Sequence, residues 1–142
     1  MSTPFEEQIK TAHQSHEQRE RIPEQFSERC MTALKLCLAN PCPDTLKAGV
    51  LVVSEGAEPY WFSADSKGFT IGRSRTANLI LSDSWVSARH CRLYMEDGEW
   101  IIDDLGSTNC TYINGEITMR KILCPGDIID LGPYALVFSR QS

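Results

Sequence analysis

Residues 104–115 read DLGSTNCTYING. Two polar turns stand almost back to back here, and what they connect decides the architecture. Asn114-Gly115 supplies the positive φ angles of a two-residue hairpin, and Gly106 supplies another turn just upstream. One reading is hairpin punctuation throughout. The other is a loop that presents Ser107, Thr108 and Asn109 as hydrogen-bonding groups at the rim of a sheet. Both readings require strands on either side.

Working outward, the sequence supplies them. From Gly49 onward VLVVSE, PYWFS, FTIGR, CRLYM, WIIDDL, DIIDLG and YALVFS are short segments rich in Val, Ile and aromatic residues, separated by turns such as EDG, DLGS and PGD. No helical stretch interrupts them, so an all-β, antiparallel sandwich is expected rather than a parallel sheet with crossover helices.

The first part of the chain reads differently. Residues 6–21 are polar and helix-forming, with only Phe5, Ile9 and Ala12 at helical spacing, which predicts an exposed or frayed helix. After Pro23, EQFSERCMTALKLCLAN sets Phe26, Cys30, Ala33, Leu34, Cys37 and Leu38 on one side of an amphipathic helix, and the prolines of NPCPD end it. That stripe either packs on its own domain or offers a docking surface to a partner or a second protomer. The expected division is a helical N-terminal arm and linker over 1–48 and one all-β domain over 49–142.

With 142 residues, 42% hydrophobic and 23% charged, the composition is that of one soluble domain with an appendage. No apolar run reaches bilayer length and the N-terminus lacks the regions of a signal peptide, so no membrane insertion and a cytoplasmic location are expected. Six cysteines form no CxxC pair, which favours reduced thiols over a zinc site or disulfides. The sequon at Asn109 matters only in a secreted protein.

A net charge of -5 argues against nucleic acid as partner. Its distribution is uneven: residues 70–92 hold Arg73, Arg75, Arg89 and Arg92 against Asp83 alone, whereas residues 93–142 hold three basic residues against eight acids. Such a window is either a solvated charged face or a site for a small, local anion.

Three loops carry the polar residues of interest: GRSRTAN, SDSWVSARH and GSTNCT. If they converge, Arg73 offers a forked guanidinium, Ser87 and Thr108 offer hydroxyls, and Asn109 offers an amide. That set suits a phosphate joined to a peptide: the fork grips two oxygens, hydroxyls and backbone N–H groups take the rest, and the amide pairs with a passing main chain.

Gly72-Arg73, then Ser87 and His90 at Ser-x-x-His spacing, then DLGSTNCTYING, resemble in order and spacing the forkhead-associated (FHA) domain, over roughly residues 49–139. The resemblance implies an eleven-stranded β-sandwich that reads phosphothreonine peptides, with no catalytic machinery and no cofactor. It implies that Arg73 and Ser87 hold the phosphate, that Thr108 assists, and that Asn109 pairs with the peptide backbone. Gly72 and His90 would be architectural. Partners would be phosphothreonine-containing segments made by a Ser/Thr protein kinase pathway. Ser74, Arg75, Arg89 and Trp85 are auxiliary candidates, Trp85 being either a peptide contact or an aromatic cap on the sandwich.

Two positions depart from the family pattern. Cys110 stands where relatives commonly have glycine, and Ala88 stands where they often carry a basic or amide side chain, which removes one auxiliary phosphate contact.

Other chemistries fit less well. Ser87 and His90 lie in no GxSxG elbow, no acid is placed to orient the histidine, and an offset of three along extended chain sends them to opposite faces. His13 and His16 share a helical face, but nothing completes a metal-binding set. A scaffold domain that keeps the sandwich without binding phosphate, as in some bacterial secretion assemblies, is the rival from a different class; it requires no converging anion donors. Thr3, in STPFEE, is a candidate for phosphorylation itself.

Overall fold

A computed structural model describes residues 24–65 and 67–141. Helix α1 (Glu24–Ala39) precedes eleven strands: β1 (Ala48–Ser54), β2 (Tyr60–Ser63), β3 (Phe69–Gly72), β4 (Leu79–Ile80), β5 (Cys91–Glu96), β6 (Glu99–Asp104), β7 (Tyr112–Ile113), β8 (Glu116–Ile117), β9 (Arg120–Ile122), β10 (Ile128–Leu131) and β11 (Tyr134–Arg140). They form a sandwich of a six-stranded sheet, ordered β2-β1-β11-β10-β7-β8, and a five-stranded sheet, ordered β4-β3-β5-β6-β9.

Alternation along the strands builds the core. Val50, Val52, Leu136 and Phe138 face Ile71, Leu93, Trp100 and Ile102 of the opposing sheet. The rings of Trp100 and Phe138 meet at 6.3 Å and those of Phe62 and Phe69 at 5.0 Å, both tilted. Each buried large aliphatic side chain contributes about 1.5–3 kcal/mol.

β1 and β11 are apolar on both faces, and α1 explains why. Leu51, Ile128, Ala135 and Val137 point away from the core and are covered by Cys30 and Ala33 of the helix, with Leu34, Leu36 and Cys37 at the margin. Small residues at the centre of the contact bring the helix close to the sheet. Asn40 ends it, its N–H and side-chain amide both donating to the Leu36 carbonyl, while the Trp61 indole donates to the Asn40 carbonyl at 2.9 Å. The apolar stripe therefore packs on its own domain. Leu38 does not belong to it: one residue, or about 100° of helix, round from Cys37, it is 85% exposed. Phe5, Ile9, Ala12, His13, His16, Pro23 and Thr3, and the side chain of Phe26, lie outside the described residues.

The sheets are not purely antiparallel. β3 pairs with β4 in parallel, Ile71 with Leu79 and Gly72 with Ile80. A tight turn makes this short return achievable: the Ala77 N–H donates to the Ser74 carbonyl, and the Asn78 carboxamide oxygen accepts the Thr70 N–H at 2.9 Å, folding the chain back beside its own strand.

The Asn114-Gly115 turn, with φ of 51° and 90°, is the hairpin between β7 and β8. The turn at Gly106 closes no hairpin. It opens a loop of residues 105–111 at one end of the sandwich, so the hairpin reading of residues 104–115 holds for the second turn and not for the first.

Candidate functional site

Three loops meet at that end. β3 finishes at Gly72, where a Cβ would overlap the Ala88 carbonyl oxygen. Without a side chain there, the first two loops press together: the Arg73 N–H donates to the Ser87 carbonyl at 3.0 Å, the Ser74 N–H to the Ala88 carbonyl at 3.2 Å, and the His90 N–H to the Ile71 carbonyl at 2.9 Å. This contact puts the guanidinium of Arg73 on the rim. Its Nε donates to the Val86 carbonyl at 2.9 Å. The rest of the exposed fork meets no acceptor among the described residues. One hydrogen bond thus fixes the plane of the fork and leaves its terminal nitrogens for a ligand.

His90 ties the third loop to the second. Its ring is fully buried and stacked on Trp85 at 5.5 Å. Nδ1 accepts the Ser87 N–H at 3.1 Å, so the proton lies on Nε2, which donates to the Cys110 carbonyl at 2.8 Å. Both nitrogens are occupied by main chain, and neither is a base for the Ser87 hydroxyl. The segment from Asp83 to His90 is a series of turns, so the expectation of opposite faces along extended chain does not apply: His90 turns back beneath Ser87 and bonds its backbone instead.

Ser87 and Thr108 are joined directly. The Thr108 N–H donates to the Ser87 Oγ at 3.0 Å, which leaves the Ser87 hydroxyl proton free to donate outward. The Asn109 amide donates to the Trp85 carbonyl at 2.8 Å. Arg73, Ser87, Thr108 and Asn109, drawn from three loops, therefore stand together at one rim, with Arg75 and Arg89 exposed nearby on the same loops. Ser74 spends its hydroxyl locally on Thr76, at 2.8 Å to its hydroxyl and 3.1 Å to its N–H. Trp85 is a half-buried cap: its ring covers His90 and fills the space where Gly132 would otherwise carry a Cβ.

Asp104 is the residue that motif reading missed. Its carboxylate accepts the Gly106 and Ser107 N–H groups at 2.9 and 3.0 Å, the Ser107 hydroxyl, and the Thr111 hydroxyl at 2.7 Å. Burial pushes this carboxyl up, but the hydrogen bonds from Ser107, Thr111 and Gly106 outweigh it and hold the group below its ordinary 3.8. An aspartate just before Leu-Gly-Ser is a turn-nucleating signal, and it was the cue available.

What this rim offers is a set of hydrogen-bond donors from three loops: the Arg73 fork, the Ser87 hydroxyl and the Asn109 amide. The sequence profile of the FHA domain matches residues 69–132. The oxoglutarate dehydrogenase inhibitor of Corynebacterium efficiens is 38% identical over 98 residues, covering 67% of this chain and 69% of that protein. The chain belongs to the FHA domain family. FhaB of Mycobacterium tuberculosis, an FHA domain-containing protein, is 43% identical over 91 residues, or 63% of this chain and 59% of FhaB. A solved FHA domain structure from work on phosphothreonine-dependent FHA domain interactions superposes with a TM-score of 0.59 at 25% identity, covering 67% of this chain and 97% of that one. The chain spans 64% of the corresponding inhibitor of Corynebacterium diphtheriae.

Against this FHA background the two departures have structural consequences. Cys110 takes φ of 67°, a left-handed conformation that glycine adopts without cost. Ala88 is exposed and contributes only its carbonyl, to Ser74.

Proposed function

We propose that this FHA protein is a non-enzymatic, cytoplasmic adaptor that binds phosphothreonine-containing segments of proteins phosphorylated by a Ser/Thr kinase. The observation that carries the reading is the Arg73 guanidinium, oriented by Val86 and otherwise unpartnered among the described residues, beside a Ser87 hydroxyl whose oxygen already accepts from the Thr108 N–H. Arg73 takes two phosphate oxygens, Ser87 donates to a third, the Thr108 hydroxyl assists, and Asn109 reaches the ligand main chain. Hydrogen bonds to a charged group contribute about 1.5–3 kcal/mol each. Three or four of them support a dissociation constant of about 1 µM after the cost of association.

The names of relatives that regulate an enzyme support a binding role over a catalytic one. A scaffold role without phosphate would leave the rim donors unused. Titration of the full chain with matched phosphothreonine and unmodified peptides separates the two. Phosphate-dependent binding of at least about tenfold, or 1.4 kcal/mol, is expected, and equal affinities would overturn the reading.

A further inference from the structure

A groove of about 930 Å³ opens between α1 and the site end of the sandwich. Leu36 and Glu28 form the helix wall, Val53 and Glu55 the sheet wall, and Trp85 and Asp83 the end nearest the rim. Three carboxylates therefore border a mainly apolar trough, and no basic side chain lines it among the described residues. Glu28 and Glu55 are exposed and form no ion pair with a described residue.

The groove is continuous with the rim through one residue. Trp85 lines the groove, and its carbonyl holds Asn109. Asp83 and Ser87 are four residues apart, at most about 14 Å of chain, so a ligand gripped at Ser87 reaches the groove within about four residues of its phosphate.

Resting on the phosphothreonine reading, we propose that this groove selects partners carrying a Lys or Arg close to the phosphothreonine. The aliphatic stem lies along Leu36, Val53 and Trp85, as long cationic side chains do on apolar surface. The charged head meets the exposed carboxylates of the two walls, Glu28 on the helix and Glu55 on the sheet. The bound segment would then be a dipole, phosphate on Arg73 and cation on the helix wall. α1, and Val53 and Glu55 on the sheet wall, lie outside the stretch matched by the FHA profile, so both selecting carboxylates come from parts of this chain beyond it.

The test uses the full chain and a set of phosphothreonine peptides in which the four positions on each side of the phosphate carry Lys, Arg, Ala or Glu in turn. At least one basic position is expected to bind about tenfold more tightly than its Glu counterpart, with the preference shrinking as salt screens it. Glu28→Gln with Glu55→Gln should remove the preference while leaving affinity for the Ala peptide unchanged, and Glu55→Lys should favour the acidic peptide. Phosphate-dependent binding with no basic preference at any position would overturn the groove proposal alone. Phosphate-independent binding would overturn both it and the reading on which it rests.

Discussion

The side-chain amide of Asn109 donates to the main-chain carbonyl of Trp85 across a gap of 2.8 Å and a sequence separation of 24 residues. The asparagine expected to face a ligand is thus first a brace between the second and third loops. It keeps one N–H and its carboxamide oxygen for a passing peptide. Trp85 in turn lies on His90 and against Gly132, so the brace is anchored in the sandwich itself. A rim held this way is preorganised, and little of the binding energy goes into ordering loops.

Arg73→Ala should weaken phosphopeptide binding by about a hundredfold, since two charge-assisted hydrogen bonds are lost together. The fold should lose only about 1 kcal/mol, the value of the bond from Nε to Val86. Arg73→Lys should recover little, because an ammonium supplies neither the fork nor the Nε that orients it. Calorimetric titration beside thermal melts checks both halves, and a folded Arg73→Ala variant of unchanged affinity would remove Arg73 from the site.

Ser87 and His90 should separate binding from stability. Ser87→Ala removes a half-exposed hydroxyl and should lower affinity with a small effect on folding. His90→Ala strands the part-buried Ser87 N–H and Cys110 carbonyl and opens a cavity beneath Trp85. Each orphaned group costs about 1–3 kcal/mol, so the loss of stability should reach about 3–5 kcal/mol. Denaturant unfolding distinguishes them; a His90→Ala variant as stable as the parent would contradict the bracing role.

Acid should loosen the third loop through Asp104. Its folded pKa is depressed, so its contribution is complete above its ordinary 3.8 and is lost as pH falls through the lower folded value. Thermal melts between about pH 6 and pH 3 should show a decline that Asp104→Asn makes shallower, with the variant less stable than the parent at neutral pH. Parallel curves for the two proteins would mean that the carboxylate does not hold the loop.

Much of this was readable in the residues. The sandwich was visible because its strands are short, β-branched and separated by turns, and the meeting of Arg73, Ser87, Thr108 and Asn109 at one rim was visible because they keep their motif spacing. β4, β7, β8 and β9 were not read from pattern, since strands of two or three residues are too short for alternation to register. The continuous apolar runs of β1 and β11 did hold the cue that something covers the outer face, and α1 does. Leu38 was misassigned because a helical stripe fixes direction only to within a residue at its edge. The buried network in which Asp127 accepts from Asn114, Lys121 and Cys124 had no sequence signal, because its partners meet only after β7 and β10 pair.

Cys110 offers the most discriminating substitution. Its φ of 67° places a side chain in the left-handed region, which costs a non-glycine residue about 1–2 kcal/mol. Glycine relieves that strain but gives back about 0.5–1 kcal/mol through the greater freedom of the unfolded chain. Cys110→Gly should therefore stabilise the protein by about 0.5–1 kcal/mol, while Cys110→Val, β-branched at the same φ, should destabilise it. The carbonyl of residue 110 still accepts from His90 Nε2 in both variants, so phosphopeptide affinity should follow Asn109 rather than the thiol. Thermal melts under reducing conditions read the effect directly. A lower midpoint for Cys110→Gly would show that the half-buried thiol contributes packing that outweighs the backbone strain.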